Sequence, residues 1–484
     1  MIVLVALAYV AVIAVISVWA ARRTRTAQDF FLAGKGIGLW ALAISAMAAT
    51  LSGFTFIGGP GLVYSLGLGA MFIVLPASLT NSMSAWTLAK RMRLLGEARG
   101  LITVPDAIGA RYRSRLAQGL AGVAILVAIV GYMATNMLAL GLVVDAVFGT
   151  GLGWGIWLGA AVMIAYSAAG GILAGIYTDV FQGIVMALAS ALVFAFALGS
   201  GGGLGEISRT ILAADPGFLE PWGKLTPLAA LSFFFVFGLG ALAQPHVVHK
   251  FYMLRDPRRL KWFPVLMTAA LMVTLLLYFG VGVAVKALVV RGGLPALARA
   301  DDATPQFLLH YTPALLSGFV FSGVAAAIMS TVNSFMNVGA AVLTHDLPVA
   351  FGKKPVRQLF LGRVWTVVIA AMAALVAQWS GTLVAFLGIF GWGLFASTLV
   401  PALAIGLNWQ GATRQGAIAS IATGLVATLG FESAAYFKVF SFPAGVTISG
   451  LSLVLSMLVF FAVSWLTRRH AEAIDEDVRA VMEM

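Results

Sequence analysis

The sequence predicts an all-α polytopic membrane protein with about 13 transmembrane helices, two of them broken, and three observations predict it. The 484 residues are 61% hydrophobic and only 10% charged, where a soluble domain carries about 25% charged residues. Measured against the roughly 20 apolar residues that span a bilayer, thirteen segments qualify, near 2–20, 39–64, 67–89, 117–147, 152–172, 179–199, 228–249, 263–290, 311–340, 361–380, 383–407, 414–435 and 446–467. The second and the seventh are interrupted by Gly and Pro, which free backbone groups where there is little water to satisfy them. Composition also excludes several classes. There is no cysteine, so no disulfide or thiolate metal site, and the five histidines lack the HxxxH spacing of a zinc centre. The net charge of +12 sits in short loops between apolar segments, where it faces the anionic lipid bilayer, and no nucleic-acid partner is expected.

Met1–Trp19 is the first apolar run, and its basic residues Arg22, Arg23 and Arg25 follow it. A cleaved signal carries positive charge in front, so this run reads as an uncleaved peripheral helix (1–20) with its amino end outside. Thirteen spans then put the carboxyl end inside. On that topology only six of the 30 Lys and Arg fall outside (Arg209, Lys224, Lys286, Arg291, Arg299 and Lys438), and the other 24 lie in inner loops and tail. Inverting the first helix would invert this bias. The outer loops 200–227 and 291–310 carry mixed charge, Gly and Pro, and are expected to hold short surface helices. No linker divides the chain. The tail 468–484 is polar, reads as a cytoplasmic extension, and is too short for a fused kinase or receiver domain.

In the second segment, Ile44–Tyr64 (ISAMAATLSGFTFIGGPGLVY), Ser52-Gly53 interrupts the helix and Gly58-Gly59-Pro60-Gly61 ends it. Membranes accept such a break where the freed carbonyls line a cavity and bind something; the plainer reading is a kink for close packing. The run Tyr166–Gln182 places a tight bend at Gly170-Gly171 and a helix start at Thr178-Asp179. Asp179 there can cap the helix, and it is also where a departing cation would pause. The seventh segment, Leu231–Lys250 (LSFFFVFGLGALAQPHVVHK), repeats the features of the second. Two broken helices five segments apart are the sign of an inverted-repeat transporter with its site between the breaks. His249 reads as an interfacial anchor beside Lys250; His246, after a Pro inside the break, stays open between anchor and site. In the ninth segment, Ser330 and Thr331 follow Ala326 and Ala327 by one turn on the same face. Small residues let another helix bring its carbonyls beside the two hydroxyls, the neutral oxygens that a hard monovalent cation wants. The alternative is hydroxyls back-bonding to the preceding turn.

TFIGGPG, AGGILAGIYTDVFQG, GLGALAQPH and AAAIMSTVNS, in this order and spacing, resemble signatures of the sodium/solute symporter family over nearly the whole chain. The resemblance implies a leucine-transporter-type inverted repeat of 5+5 helices, a first repeat over 39–199 and a second over 228–407, with peripheral helices at 1–20 and 414–467. It implies Na⁺ as the co-transported ion, held by backbone oxygens of Ala48, Leu51 and Ala327 and by the hydroxyls of Ser330 and Thr331. A second Na⁺, or its exit path, falls on Asp179, Asn333 and Ser334, although Asn333 stands where those members have a hydroxyl. The family's substrate positions fall on Thr50, Ser52 and Gly53, on Tyr132 and Asn136, and on Phe237, Ala241, Gln244 and Pro245. Proline permeases have an Asp where this chain has Thr50, and aromatics at positions corresponding to Phe237 and Ala241. FIGGPG and the MST run are nearer to pantothenate and monocarboxylate permeases.

The expectation is a sodium-driven symporter of the cytoplasmic membrane that imports a small polar solute, on the resemblance an organic carboxylate. Uptake of a neutral or zwitterionic solute, an amino acid or a sugar, is the alternative within this class. A solute sensor derived from a transporter is the alternative outside it. With no intramembrane His/Cys/Asp/Glu cluster to do chemistry, an enzyme is not expected.

Overall fold

The computed structural model describes residues 1–484 except 382, 383, 441, 444 and 471. Every regular element among the described residues is helical, and the only extended pairing is an isolated bridge between Ile37 and Leu254. The spanning helices are α1 Ile2–Arg23, the broken pair α2 Leu39–Thr50 and α3 Gly59–Leu66, α4 Met71–Ser84, α5 Arg115–Phe148, α6 Leu152–Ala165 and α7 Gly171–Ser200. There follow the broken pair α8 Pro227–Gly240 and α9 Pro245–Val248, α10 Phe263–Val290, α11 Ala314–Ala341, α12 Gln358–Trp379, α13 Val384–Leu399, α14 Arg414–Tyr436 and α15 Ile448–Thr467. Among the described residues eleven helical stretches, some running on through adjoining turns, are long and apolar enough to cross a membrane, and α2 and α6 are shorter apolar pieces. All thirteen expected segments thus have a helical counterpart.

Local chemistry sets the ends. Ser114, Thr226, Thr413 and Thr447 each accept a hydrogen bond from the backbone N–H three residues on, capping α5, α8, α14 and α15. Between α6 and α7 the chain turns at Gly171, whose φ of 56° and ψ of −150° suit only glycine, and a Cβ there would meet Phe30 at 2.5 Å. The bend is where the sequence places it, but the helix resumes at once. Asp179 therefore lies about two turns inside α7 and caps nothing, which corrects the helix start expected at Thr178-Asp179.

Large apolar side chains such as Leu4, Trp154, Val265, Phe386 and Trp465 are exposed on the outer surface, as a bilayer rather than water as solvent requires. Small residues bring helices close together: a Cβ on Gly53 would lie 2.5 Å from the Ala139 Cβ. The loops 200–227 and 291–310 carry the expected short helices, Leu204–Ala214 and Ala303–Tyr311. Thr304 of the second donates to the Phe56 carbonyl (2.8 Å), so that loop lies over the start of α3.

The short helix Val104–Tyr112, the start of α5 and the helical continuation of α11 are laced together by a cluster that the sequence reading did not foresee. Asp106, His345 and Asp346 place their ligand atoms within 4.8 Å of one another. Gln118 donates to both carboxylates at 2.7 and 2.9 Å, and Thr103 donates to Asp346 at 2.7 Å. His345 and Asp106 are 239 residues apart, so no local motif could announce the group. The tail also differs from a free extension. Asp475 and Asp477 meet Arg99 at 2.6 Å, and the final helix, α16 Glu476–Met482, buries Val478, Val481 and Met482.

Candidate functional site

The two breaks fall where Gly and Pro sit. α2 ends at Thr50, and Leu51 is extended (φ −82°, ψ 126°) before the chain coils again from Gly53. In the seventh segment Gln244 is extended (φ −62°, ψ 113°), and Pro245, with no N–H to lose, starts α9. The first break exposes the carbonyls of Ala48, Ala49 and Leu51, and α11 meets them with hydroxyls. Thr331 Oγ1 donates within reach of the carbonyls of Leu51 (2.7 Å), Ala49 (2.9 Å) and Ala327 (3.0 Å). Ser330 Oγ lies against the carbonyl of Ala48 and 3.2 Å from that of Ala327. Every group is fully or almost fully buried. Ala48, Leu51, Ala327, Ser330 and Thr331 thus share one locus, a knot of neutral oxygens between an unwound segment and a straight helix. The Ala49 carbonyl belongs to it too, and sequence reasoning missed it because a backbone oxygen leaves no mark on residue type. The back-bonding alternative holds only in part, since three of the five contacts cross to another helix.

The remaining predicted residues divide. Asn136 uses its Oδ1 to accept the Gly53 N–H (3.0 Å) and its Nδ2 to donate to the Tyr132 carbonyl (3.0 Å), so it braces the break. Ser52 Oγ and Tyr132 Oη are 3.2 Å apart. Thr50, Tyr132 and Phe237 line a buried cavity of about 30 Å³ together with Thr55, Ser78, Asn81 and Trp392, room for about two waters. Phe237 stacks between Phe54 (5.9 Å) and Trp392 (5.3 Å), forming an aromatic wall. Ser52, Gly53, Asn136, Ala241, Gln244 and Pro245 are buried but do not line this cavity. Gln244 donates to the Gly240 carbonyl (3.1 Å) and leaves its Oε1 without a partner.

Asn81 and Trp392 are functional candidates that sequence reasoning overlooked. Both side-chain polar atoms of Asn81 and the indole N–H of Trp392 are buried without a partner, a costly arrangement unless something else bonds them. A signal was present: Asn81 is an amide in the apolar run MFIVLPASLTNSMSAW.

Asp179 has a partner that the topology reading had assigned to a loop. Lys250 Nζ lies 2.8 Å from Asp179 Oδ2, and both side chains are fully buried. Ser45 Oγ donates to the same carboxylate oxygen at 2.6 Å. Asn333 Oδ1 accepts from Ser167 (2.6 Å), while Asn333 Nδ2 and Ser334 Oγ are unpartnered. His246 is buried with its ring 4.2 Å from that of Phe335. His249 is buried too and bonds the Ile102 carbonyl at 2.9 Å, tying α9 to the segment before the helix Val104–Tyr112 rather than anchoring it at the lipid interface.

Residues 30–424 match the model of the sodium:solute symporter family. The chain is 28% identical to the osmoregulated proline transporter OpuE of Bacillus subtilis (strain 168), covering 94% of this chain and 92% of that one. It is 26% identical to the sodium/pantothenate symporter of Escherichia coli (strain K12), covering 94% of each. Among solved structures, a Na⁺-coupled sialic acid symporter in a substrate-bound outward-open state superposes with TM-score 0.79 at 20% identity, covering 98% of this chain and 99% of that one. The fold is the leucine-transporter type, and the chain belongs to the sodium:solute symporter family, multi-pass transporters of the cell membrane that couple solute uptake to Na⁺.

Proposed function

We propose that this chain imports a small organic carboxylate together with Na⁺, with its amino end outside and its carboxyl end in the cytoplasm. The ion is bound by the carbonyls of Ala48, Leu51 and Ala327 and the hydroxyls of Ser330 and Thr331. The solute is bound beside it by Thr50, Tyr132, Phe237, Asn81 and Trp392, with Ser52, Gly53, Asn136, Ala241, Gln244 and Pro245 shaping the two breaks. One observation carries the choice of carboxylate. The cavity wall offers unpartnered N–H groups on Asn81 and Trp392 and has no acidic side chain. Such donors suit a carboxylate, whereas the ammonium of a zwitterion would find no acidic partner there.

Na⁺ entry requires the Ser330 and Thr331 hydroxyls to swing their protons away and present lone pairs, which a hydroxyl can do and a carbon cannot. The ion then ties the unwound end of α2 to α11, and the solute completes the wall between the breaks. One Na⁺ moving down ~100 mV supplies about 2.3 kcal/mol, and a tenfold gradient about 1.4 kcal/mol more. A neutral solute could then be concentrated roughly 500-fold; a monoanion, whose co-transport is electroneutral, would keep only the chemical part, about tenfold.

Uptake into proteoliposomes of labelled monocarboxylates, pantothenate, proline and a sugar, each with and without a Na⁺ gradient, tests the proposal. Na⁺-dependent uptake of a carboxylate that proline does not compete with is expected. Proline uptake that carboxylates leave untouched would overturn the substrate class, and binding of a solute without uptake would favour the sensor.

A further inference from the structure

We infer that the ammonium of Lys250 is a resident cation: it fills the Asp179 pocket on α7, so that no second Na⁺ binds there and solute uptake is coupled to one ion. This rests on the proposed Na⁺ site at Ser330 and Thr331 and adds a charge arrangement beside it.

The ammonium has three donors, and the structure gives each a partner: Asp179 Oδ2 at 2.8 Å, Ser45 Oγ at 2.6 Å and the Ser45 carbonyl at 2.9 Å. Ser45 Oγ accepts from Lys250 and donates a hydrogen bond to Asp179 Oδ2 at 2.6 Å. A carboxylate, a hydroxyl and a carbonyl around one positive charge are the oxygen set that a hard cation takes. Here the cation is tethered to the chain. The arrangement is set into the fold: both charged side chains have 0% exposure, and the flanking residues Val248, Phe251 and Met253 are fully buried.

The surroundings also disfavour a free ion. Asn337 Nδ2 donates to both the backbone carbonyl of Asn333 (2.8 Å) and its Oδ1 (3.3 Å), and Ser167 donates to that Oδ1 at 2.6 Å. These bonds turn the free Nδ2 of Asn333, a donor, toward α7, where a Cβ on Gly175 would lie 2.0 Å from it. Gly175 is one turn from Asp179, so an N–H group stands beside the pocket, while Asp179 Oδ1 is left without a partner.

The placement matters for the neighbouring seat because both are built on α2. Ser45 contacts Lys250, and one turn later Ala48 and Ala49 offer the carbonyls that meet Ser330 and Thr331. A turn is about 5 Å of helix. With Lys250 compensating Asp179, an ion at the Ser330–Thr331 seat faces a neutral pair, not a bare carboxylate that would hold it and slow its release.

Equilibrium ²²Na⁺ binding to the purified full-length protein in lipid nanodiscs tests this. Wild type should bind one Na⁺ per chain, lost in Thr331→Ala. Lys250→Met, which keeps the stem and removes the charge, should bind one more, and that ion should persist in Lys250→Met/Thr331→Ala and vanish in Lys250→Met/Asp179→Asn. No gain of Na⁺ on Lys250→Met overturns the inference whatever wild type binds. Absence of Na⁺ binding in wild type counts instead against the Ser330–Thr331 reading. Should Lys250→Met fail to fold, Asp179→Asn in the Lys250 background still decides: an unchanged Na⁺ count supports the resident ammonium, and loss of a bound Na⁺ overturns it.

Discussion

Two polar loci one helical turn apart on α2 solve the same problem, buried backbone and side-chain oxygens in a membrane interior, in opposite ways. At the Ser330–Thr331 locus every oxygen is neutral, and each hydroxyl contacts two or three carbonyls from α2 and its own helix. At the Ser45–Asp179–Lys250 locus a full negative charge is matched by a full positive charge on the chain. Neutral oxygens can trade a hydroxyl proton for a mobile cation at small cost, so the first locus is suited to an ion that comes and goes. A desolvated carboxylate cannot be left bare, so the second needs a permanent partner. On the proposed reading, the difference is one between a site for cargo and a structural charge pair.

Removing the neutral oxygens should have the largest effect. Contacts to charged groups are worth about 1.5–3 kcal/mol each, so Ser330→Ala/Thr331→Ala should raise the Na⁺ concentration for half-maximal uptake by about 100-fold or more, with normal amounts of protein in the membrane. Unchanged Na⁺ dependence would remove the first locus from the mechanism. Next is the charged pair as a matter of stability. Lys250→Met should lower stability by about 3–5 kcal/mol where nothing replaces the ammonium, and Lys250→Met/Asp179→Asn should restore most of it. Melting in detergent without Na⁺ would show it, and equal melting temperatures for the single and double variants would deny that the pair is coupled.

Making the neutral locus charged sharpens the contrast. Thr50 lines the cavity and back-bonds to the Ala46 carbonyl at 2.9 Å. Thr50→Asp puts an unpaired charge in the membrane interior, about 2.5–3.5 kcal/mol on the insertion scale, and repels an anionic solute. Carboxylate uptake should be abolished, while Thr50→Ser should keep most of it; wild-type rates in Thr50→Asp would mean that the anion reading is mistaken. Asn81→Leu removes donors from the solute side alone. It should raise the solute KM about tenfold, in keeping with about 1–3 kcal/mol for a buried polar group, and leave the Na⁺ dependence as it was. A shift in both would place Asn81 with the ion.

The smallest effect should come from the same chemistry in water. Arg99 meets Asp475 and Asp477 at 2.6 Å, but the three side chains are 26%, 30% and 43% exposed, where ion pairs contribute about 0–1 kcal/mol. The Arg99 hydrogen bond holds the Asp477 carboxyl below its usual range. The contact therefore stabilises above about pH 4 and is lost as pH falls through the lowered value. Arg99→Ala should speed hydrogen exchange in α16 and leave transport unchanged; a large loss of uptake would give the tail a role beyond packing.

Residue type and spacing alone determined the membrane class, the thirteen segments, both breaks and the bend at Gly171, because hydrophobic length and Gly/Pro chemistry act locally. The Ser330–Thr331 pair was legible for a similar reason, since two hydroxyls one turn after two alanines define a face. Only the tertiary structure decided what that face meets: the carbonyl of Ala49 has no sequence signature, and the Phe54–Phe237–Trp392 wall joins three helices. It also decided the partners of charge. Asp179 reads as a cap until the helix is seen to begin two turns earlier, and Lys250 reads as one more inner-loop cation. Its apolar successors Phe251, Tyr252 and Met253 hint that the chain has not yet reached water. Asp179 and Lys250 are 71 residues apart, and a pairing across that distance is set by how helices pack, a global property that no local pattern encodes.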